Sequence, residues 1–98
     1  MNVRFTTEAQ QHIAAIYDYI YLRNSVAAIA VTARIRAAAD LLKDFPLLGH
    51  KSVVAGTHEL VVKGLPYILV YEVRKRNREV VVLGVFHGAR DFKGNGSH

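Results

Sequence analysis

Cysteine is absent from the 98 residues, which removes disulfide staples, thiolate metal sites and a thiol nucleophile together. No apolar stretch approaches the ~20 residues that a membrane-spanning helix requires, and Met1-Asn2-Val3-Arg4-Phe5 lacks the apolar core of a secretory leader. A cytoplasmic protein without membrane association is therefore expected. The glycines at 84, 88, 94 and 96 follow an apolar run without opening a helix, so they do not form a phosphate-binding loop. His12, His50, His58 and His87 fall in different segments with no Asp or Glu at ligand spacing, and they read as isolated surface or rim histidines. No metal and no cofactor is expected. Ser25 and Ser52 are accounted for by a helix start and a loop, which leaves no serine nucleophile.

What the chain does carry is positive charge. Thirteen Lys and Arg against eight Asp and Glu give a formal net charge of +5. The excess is uneven: residues 1–50 hold five basic and four acidic groups, residues 51–98 eight and four. A field of this sign suits an acidic protein partner or a nucleic-acid backbone, or serves solubility alone.

The length is that of one domain, residues 1–92, followed by a glycine-rich, apolar-poor tail at 93–98 that is expected to be mobile. Residues 2–6 are β-compatible, with Val3 and Phe5 on one alternating face. A helix follows, with Thr6 or Thr7 as N-cap, Glu8 in the positive first turn, and Thr7 with Gln10 as a capping-box pair. Ala9, Ile13, Ile16, Tyr17 and Ile20 recur at three and four residues and mark its buried stripe. After a break at 22–25, Ser25 caps a second helix running to about Asp44, with Ile29, Val31, Ile35, Ala38, Leu41 and Leu42 among its buried candidates. Seven alanines between Ala27 and Ala39 favour close packing of the two helices as a hairpin. Pro46 and Gly49 end it, and residues 50–56 read as a loop.

Three strands come next, at 58–62, 67–73 and 80–86, the first two joined by Gly64-Leu65-Pro66. The hairpin tip between the last two, Arg74-Lys75-Arg76-Asn77-Arg78, holds four cations in five residues, a basic patch that reads as a solvated turn discouraging edge aggregation rather than a dedicated phosphate clamp. The order β-α-α-β-β-β predicts an α+β domain, a helical hairpin across one face of a mostly antiparallel four-stranded sheet. The last strand is apolar throughout and stops at His87, delivering His87, Arg90 and Asp91 to the rim of the sheet. His87 and Arg90, with Glu59, Tyr67 and Tyr71, are groups capable of general acid-base work or of docking onto a partner.

Six blocks in order, from residue 2 to about 92, resemble one family. They are Thr6-Thr7-Glu8-Ala9, Ile16-Tyr17-Asp18-Tyr19-Ile20, Phe45-Pro46-Leu47-Leu48-Gly49, Glu59-Leu60-Val61-Val62, Pro66-Tyr67-Ile68-Leu69-Val70-Tyr71 and Phe86-His87-Gly88-Ala89-Arg90-Asp91-Phe92. Together they look like the RelE/ParE superfamily of toxins from type II toxin-antitoxin modules, also called plasmid stabilisation proteins. The resemblance implies the fold read above, a cognate acidic antitoxin, and one of two targets. RelE-like members are ribosome-dependent endoribonucleases that cleave mRNA with basic groups, a tyrosine or a histidine. ParE-like members bind and stall DNA gyrase. In the nucleases an arginine commonly precedes the apolar core of the central strand, where this chain has Pro66-Tyr67, and some carry an aromatic residue where this chain has Gly88. The ParE-like branch is the expectation, with the endoribonuclease as alternative.

Overall fold

The computed structural model describes residues 1–88. Arg90, Asp91 and the 93–98 tail lie outside the described residues. The elements are β1 (Asn2–Phe5), α1 (Thr7–Tyr21), α2 (Ser25–Asp40) with a 3-10 turn at Leu41–Lys43, β2 (His50–Lys51), β3 (His58–Val61), β4 (Tyr67–Arg74) and β5 (Glu79–His87). The sheet runs β1-β5-β4-β3-β2. β1 lies parallel to β5, and the other pairs are antiparallel.

The sheet has five strands where four were expected. The additional strand, β2, is two polar residues long, with His50 opposite Glu59 and Lys51 opposite His58. Nothing in its composition favours a strand; it is laid against β3 by its neighbour Gly49. A Cβ at Gly49 would sit 2.3 Å from the Glu59 carbonyl oxygen, so only glycine lets the chain pass this close. The Gly49 N–H donates to the Tyr71 hydroxyl at 3.0 Å, and that hydroxyl donates to the Pro46 carbonyl at 2.9 Å. Tyr71, fully buried on β4, thus fastens the 46–49 segment to the sheet from beneath.

The first helix starts at one of its two expected caps, and the second starts one residue earlier than expected. Thr6 caps α1, its hydroxyl accepting the Ala9 N–H at 3.0 Å, so Thr7 is already helical and forms no capping box with Gln10. Asn24, not Ser25, caps α2, accepting the Ala27 N–H at 3.0 Å. The buried line of α2 is Ala28, Thr32, Ile35 and Ala39. Ile29 and Leu41, expected inside, are 59% and 51% exposed because the alanine-rich line fits against the neighbouring helix and they fall beside it. The one polar member of that line, Thr32, donates to the Ala28 carbonyl at 2.9 Å, which satisfies its hydroxyl within the helix.

The core joins Ala9 and Ile13 of α1, Ile35 and Ala39 of α2 and Leu42 to Leu69 and Tyr71 of β4 and Val80, Val82 and Val85 of β5. Val82 and Val85 both reach it although they are three apart. Val70 pairs with Gly84 and Tyr71 with Val82, so Leu83 is an extra residue that shifts the alternation of β5. Val81, between the inward positions, is buried as well. Burial of successive residues is why the strand reads as one apolar run.

Removing the Tyr71 hydroxyl leaves the Gly49 N–H and the Pro46 carbonyl without their partner. Tyr71→Phe is expected to cost about 1–3 kcal/mol in urea unfolding. Burial raises the Tyr71 pKa above its ordinary 10.0, and the Gly49 N–H opposes that shift. A raised acid pKa contributes stability that is whole below the unfolded value and declines as pH rises past it. Between pH 7 and pH 11 the wild type should therefore lose more stability than the phenylalanine variant.

Candidate functional site

His87 ends β5 opposite Tyr67, and the two rings meet edge to face with centroids 5.5 Å apart. The Gly88 N–H donates to the Pro66 carbonyl at 2.7 Å, so the ladder continues one step beyond the histidine. Tyr67 is buried beneath it, with 6% of its surface exposed, and His87 is half-buried. This pair is the part of the sequence-derived cluster that the fold brings together.

The other candidates are elsewhere. Tyr71 lies four residues further along β4, roughly 13 Å away, with its ring stacked on His58 and its hydroxyl committed to the 46–49 segment. Its expected place on a target-facing surface is corrected: the side chain is wholly enclosed. Glu59 is also enclosed, on the opposite sheet face, where its carboxylate accepts from the Ser52 hydroxyl at 2.8 Å and stands 3.9 Å from His50 Nε2. That carboxylate holds the β2–β3 connection and presents little surface to a partner. Arg90 and Asp91 are outside the described residues.

The basic tip is divided. Arg74 pairs with Glu72 and Glu79, and Glu79 also pairs with Arg4, so its charge is compensated. Lys75, Arg76 and Arg78 are exposed and form no ion pair among the described residues. β5 separates this tip from His87 by eight residues, roughly 26 Å. A single nucleotide cannot touch both. The described residues contain no cluster of three or more His, Cys, Asp or Glu able to hold a metal ion.

Two residues set aside in the sequence prove structurally central. His12 Nδ1 accepts the Val85 N–H at 3.1 Å, and its ring packs on Phe86 at 5.0 Å. Gly84 makes room for both: a Cβ there would lie 2.7 Å from the Phe86 ring and 3.1 Å from His12 Cε1. The sequence held a signal for each. His12 falls three residues after Ala9 and four before Ile16, on the apolar stripe, and a lone glycine inside a strand marks a close approach.

An open apolar groove of roughly 500 Å³ runs between α2 and β3, floored by Ala37, Ala38, Leu41, Leu60 and Val61 and bordered by Arg34 and Lys63. The Arg34 guanidinium donates to the Lys63 carbonyl, spanning one end. Phe45, Leu47 and Leu48 extend the exposed apolar surface beside it.

The helical hairpin on a mixed sheet is a fold shared with chains of two toxin-antitoxin systems. A chain of the chromosomal ParDE system from P. aeruginosa superposes with a TM-score of 0.80 over 89% of this chain and 95% of that one, at 21% identity. A chain of the toxin-antitoxin complex RelBE2 from Mycobacterium tuberculosis gives 0.64 over 88% and 95%, at 27% identity. A protein of Sinorhizobium fredii named "Putative toxin Y4kP" is 35% identical over 91 residues, 93% of this chain and 92% of that protein. The family described as the ParE toxin of the type II toxin-antitoxin system parDE matches residues 3–92. The chain belongs to that ParE toxin family, within the RelE/ParE superfamily its sequence resembles. Among the described residues no helix is long and apolar enough to cross a membrane.

Because the space beside Gly84 is filled by two rings, Gly84→Ala is expected to destabilise the protein by about 1–3 kcal/mol, the usual cost of overpacking. Chemical denaturation of the two proteins side by side measures it.

Proposed function

We propose that this toxin acts in the cytoplasm by binding DNA gyrase and is neutralised by a cognate acidic antitoxin. The observation that carries the reading against mRNA cleavage is the residue facing His87 across the strand pair. It is Tyr67, a buried aromatic, where a nuclease of this fold would benefit from a cation. Cleavage through a ribose 2′-hydroxyl gathers negative charge on phosphorus, and a cation held against it supplies most of the stabilisation. The uncompensated cations at 75, 76 and 78 stand too far along β5 to reach the same phosphate. Membership of the ParE family supports gyrase as the target. His87, with Arg90 and Asp91 after it, forms the proposed gyrase-facing rim.

The groove between α2 and β3 is the proposed seat of the antitoxin. Its floor is apolar and its border carries Arg34 and Lys63, which suits an amphipathic acidic segment. Val61 is 56% exposed there. The Val62 N–H points to Tyr67 on β4, so by alternation the Val61 N–H and carbonyl point away from β4 along an edge that no described strand covers. The basic β4–β5 tip adds long-range attraction, so association should quicken as salt is lowered.

Leu41→Glu places a carboxylate in the groove at a half-exposed site outside the core. It should weaken antitoxin binding by about tenfold or more while shifting the unfolding midpoint little. Equal affinity of both proteins for the antitoxin, measured by calorimetry, would move the antitoxin to another face.

The target is tested by adding the purified toxin separately to a gyrase supercoiling reaction and to a translating ribosome reaction. Gyrase inhibition without mRNA fragments is expected. His87→Gln should weaken that inhibition by the value of one interfacial hydrogen bond, about 0.5–1.5 kcal/mol. A loss of roughly a hundredfold in mRNA cleavage on the same substitution would assign the protein to the endoribonucleases instead. Arg90→Ala, in the proposed target-facing segment, should reduce growth inhibition far more than it reduces stability, as thermal denaturation measured beside growth inhibition would show.

A further inference from the structure

We propose that His12 is a positioning residue for the functional end of β5, supplying from α1 the edge contact that β1 stops short of providing. β1 pairs with β5 only as far as Phe5 opposite Val82. The Thr6 N–H then donates to the Val82 carbonyl and the Thr6 hydroxyl to the Leu83 carbonyl, and there the chain turns into α1. His87 lies four residues beyond Leu83. Along that stretch the side of β5 away from β4 has no strand beside it among the described residues. A strand end left in this condition opens readily, since its outward amide exchanges with water.

Val85 would carry that outward amide. Its N–H instead meets His12 Nδ1 at 3.1 Å, two residues before His87. Accepting at Nδ1 places the proton of the neutral imidazole on Nε2, so the ring engages as an acceptor in one tautomer. Phe86 packs against the same ring at 5.0 Å with the planes tilted by 54°. Gly84 has no side chain, which is what allows α1 to come this near. On the opposite edge β4 grips the same residues, through Tyr67 opposite His87 and the Gly88 N–H on the Pro66 carbonyl. The end of β5 is therefore held from both sides, on the α1 side through the His12 acceptor and the ring contact with Phe86. Filling volume alone does not account for it, because an aliphatic side chain would fill the space and leave the Val85 N–H unpaired.

The consequence for function rests on the reading that the His87 end of the sheet meets the target. It adds the residue that sets where that end stands. Two variants separate positioning from packing. Asn carries its side-chain oxygen on Cγ, as His carries Nδ1, so His12→Asn keeps an acceptor in place; His12→Leu keeps bulk and removes the acceptor. Amide exchange on the whole protein should show Val85 exchanging about tenfold faster in the leucine protein, with Val80, Val81 and Val82 unchanged and the asparagine protein close to wild type. Growth inhibition, which does not depend on which target is correct, should fall by about tenfold for leucine and return with asparagine. Should the leucine protein fail to fold, His12→Met, which also places no nitrogen or oxygen acceptor there, takes its place with the same expectations. Undiminished toxicity of the leucine protein, an asparagine protein as impaired as the leucine one, or unchanged Val85 exchange would each overturn the proposal. If the wild type inhibits growth but not gyrase, the gyrase reading fails while the exchange and growth comparisons still decide the role of His12.

Discussion

The joint at Thr6 is the contact from which the rest of the architecture is set out. Its N–H closes the parallel ladder on Val82, its hydroxyl donates to the Leu83 carbonyl, and the same oxygen accepts the Ala9 N–H to start α1. One side chain thereby ends a strand, begins a helix and holds the carbonyl of the extra residue in β5. The bulge brings Val85 inward in step with Val82, and the start of α1 carries Ala9, His12 and Ile13 over β5. A misplaced turn at Thr6 would shift the helix against every one of these positions.

The second organising constraint is the buried phenol of Tyr71. The 46–49 segment carries exposed Leu47 and Leu48 and has little burial to hold it, yet it borders the groove and places β2. A hydroxyl that both accepts and donates is the smallest group that can satisfy a backbone N–H and a carbonyl at once. The enclosure that makes Tyr71 useful for this purpose also removes it from contact with any partner. A tyrosine on a strand of this fold invites a functional reading, and here the burial and the two hydrogen bonds give it a structural one.

The element order, the helical hairpin, the last three strands and the rim position of His87 were legible in the sequence because long periodic segments carry them. Apolar spacing at three and four marks Ala9 and Ile13 on α1, and the β-branched run at 80–82 marks β5. What stayed hidden depends on contacts between segments far apart in the chain. β2 has no strand composition and exists because Gly49 passes against the Glu59 carbonyl. Ile29 and Leu41 fit a buried pattern by hydropathy, and only the packing of the alanine line leaves them outside. The site was legible in part. Residue type alone groups His87 with Tyr67, Glu59 and Tyr71 in the sequence; the strand register sets Tyr67 opposite His87, and the sheet places Glu59 and Tyr71 in separate structural tasks.

The parallel pairing of β1 with β5 has a meaning in the time order of synthesis. β1 leaves the ribosome before the other described strands and must wait for β5, the last of them, before it has a neighbour in the sheet. Until then the α1–α2 hairpin has only part of its platform, since Val80, Val82 and Val85 of the core all belong to β5. Closing a contact across most of the chain is slow compared with forming a local hairpin. A nascent toxin of this topology therefore lacks a finished core until β5 has emerged, and β1, the helical hairpin and the rim at His87 settle together at that point.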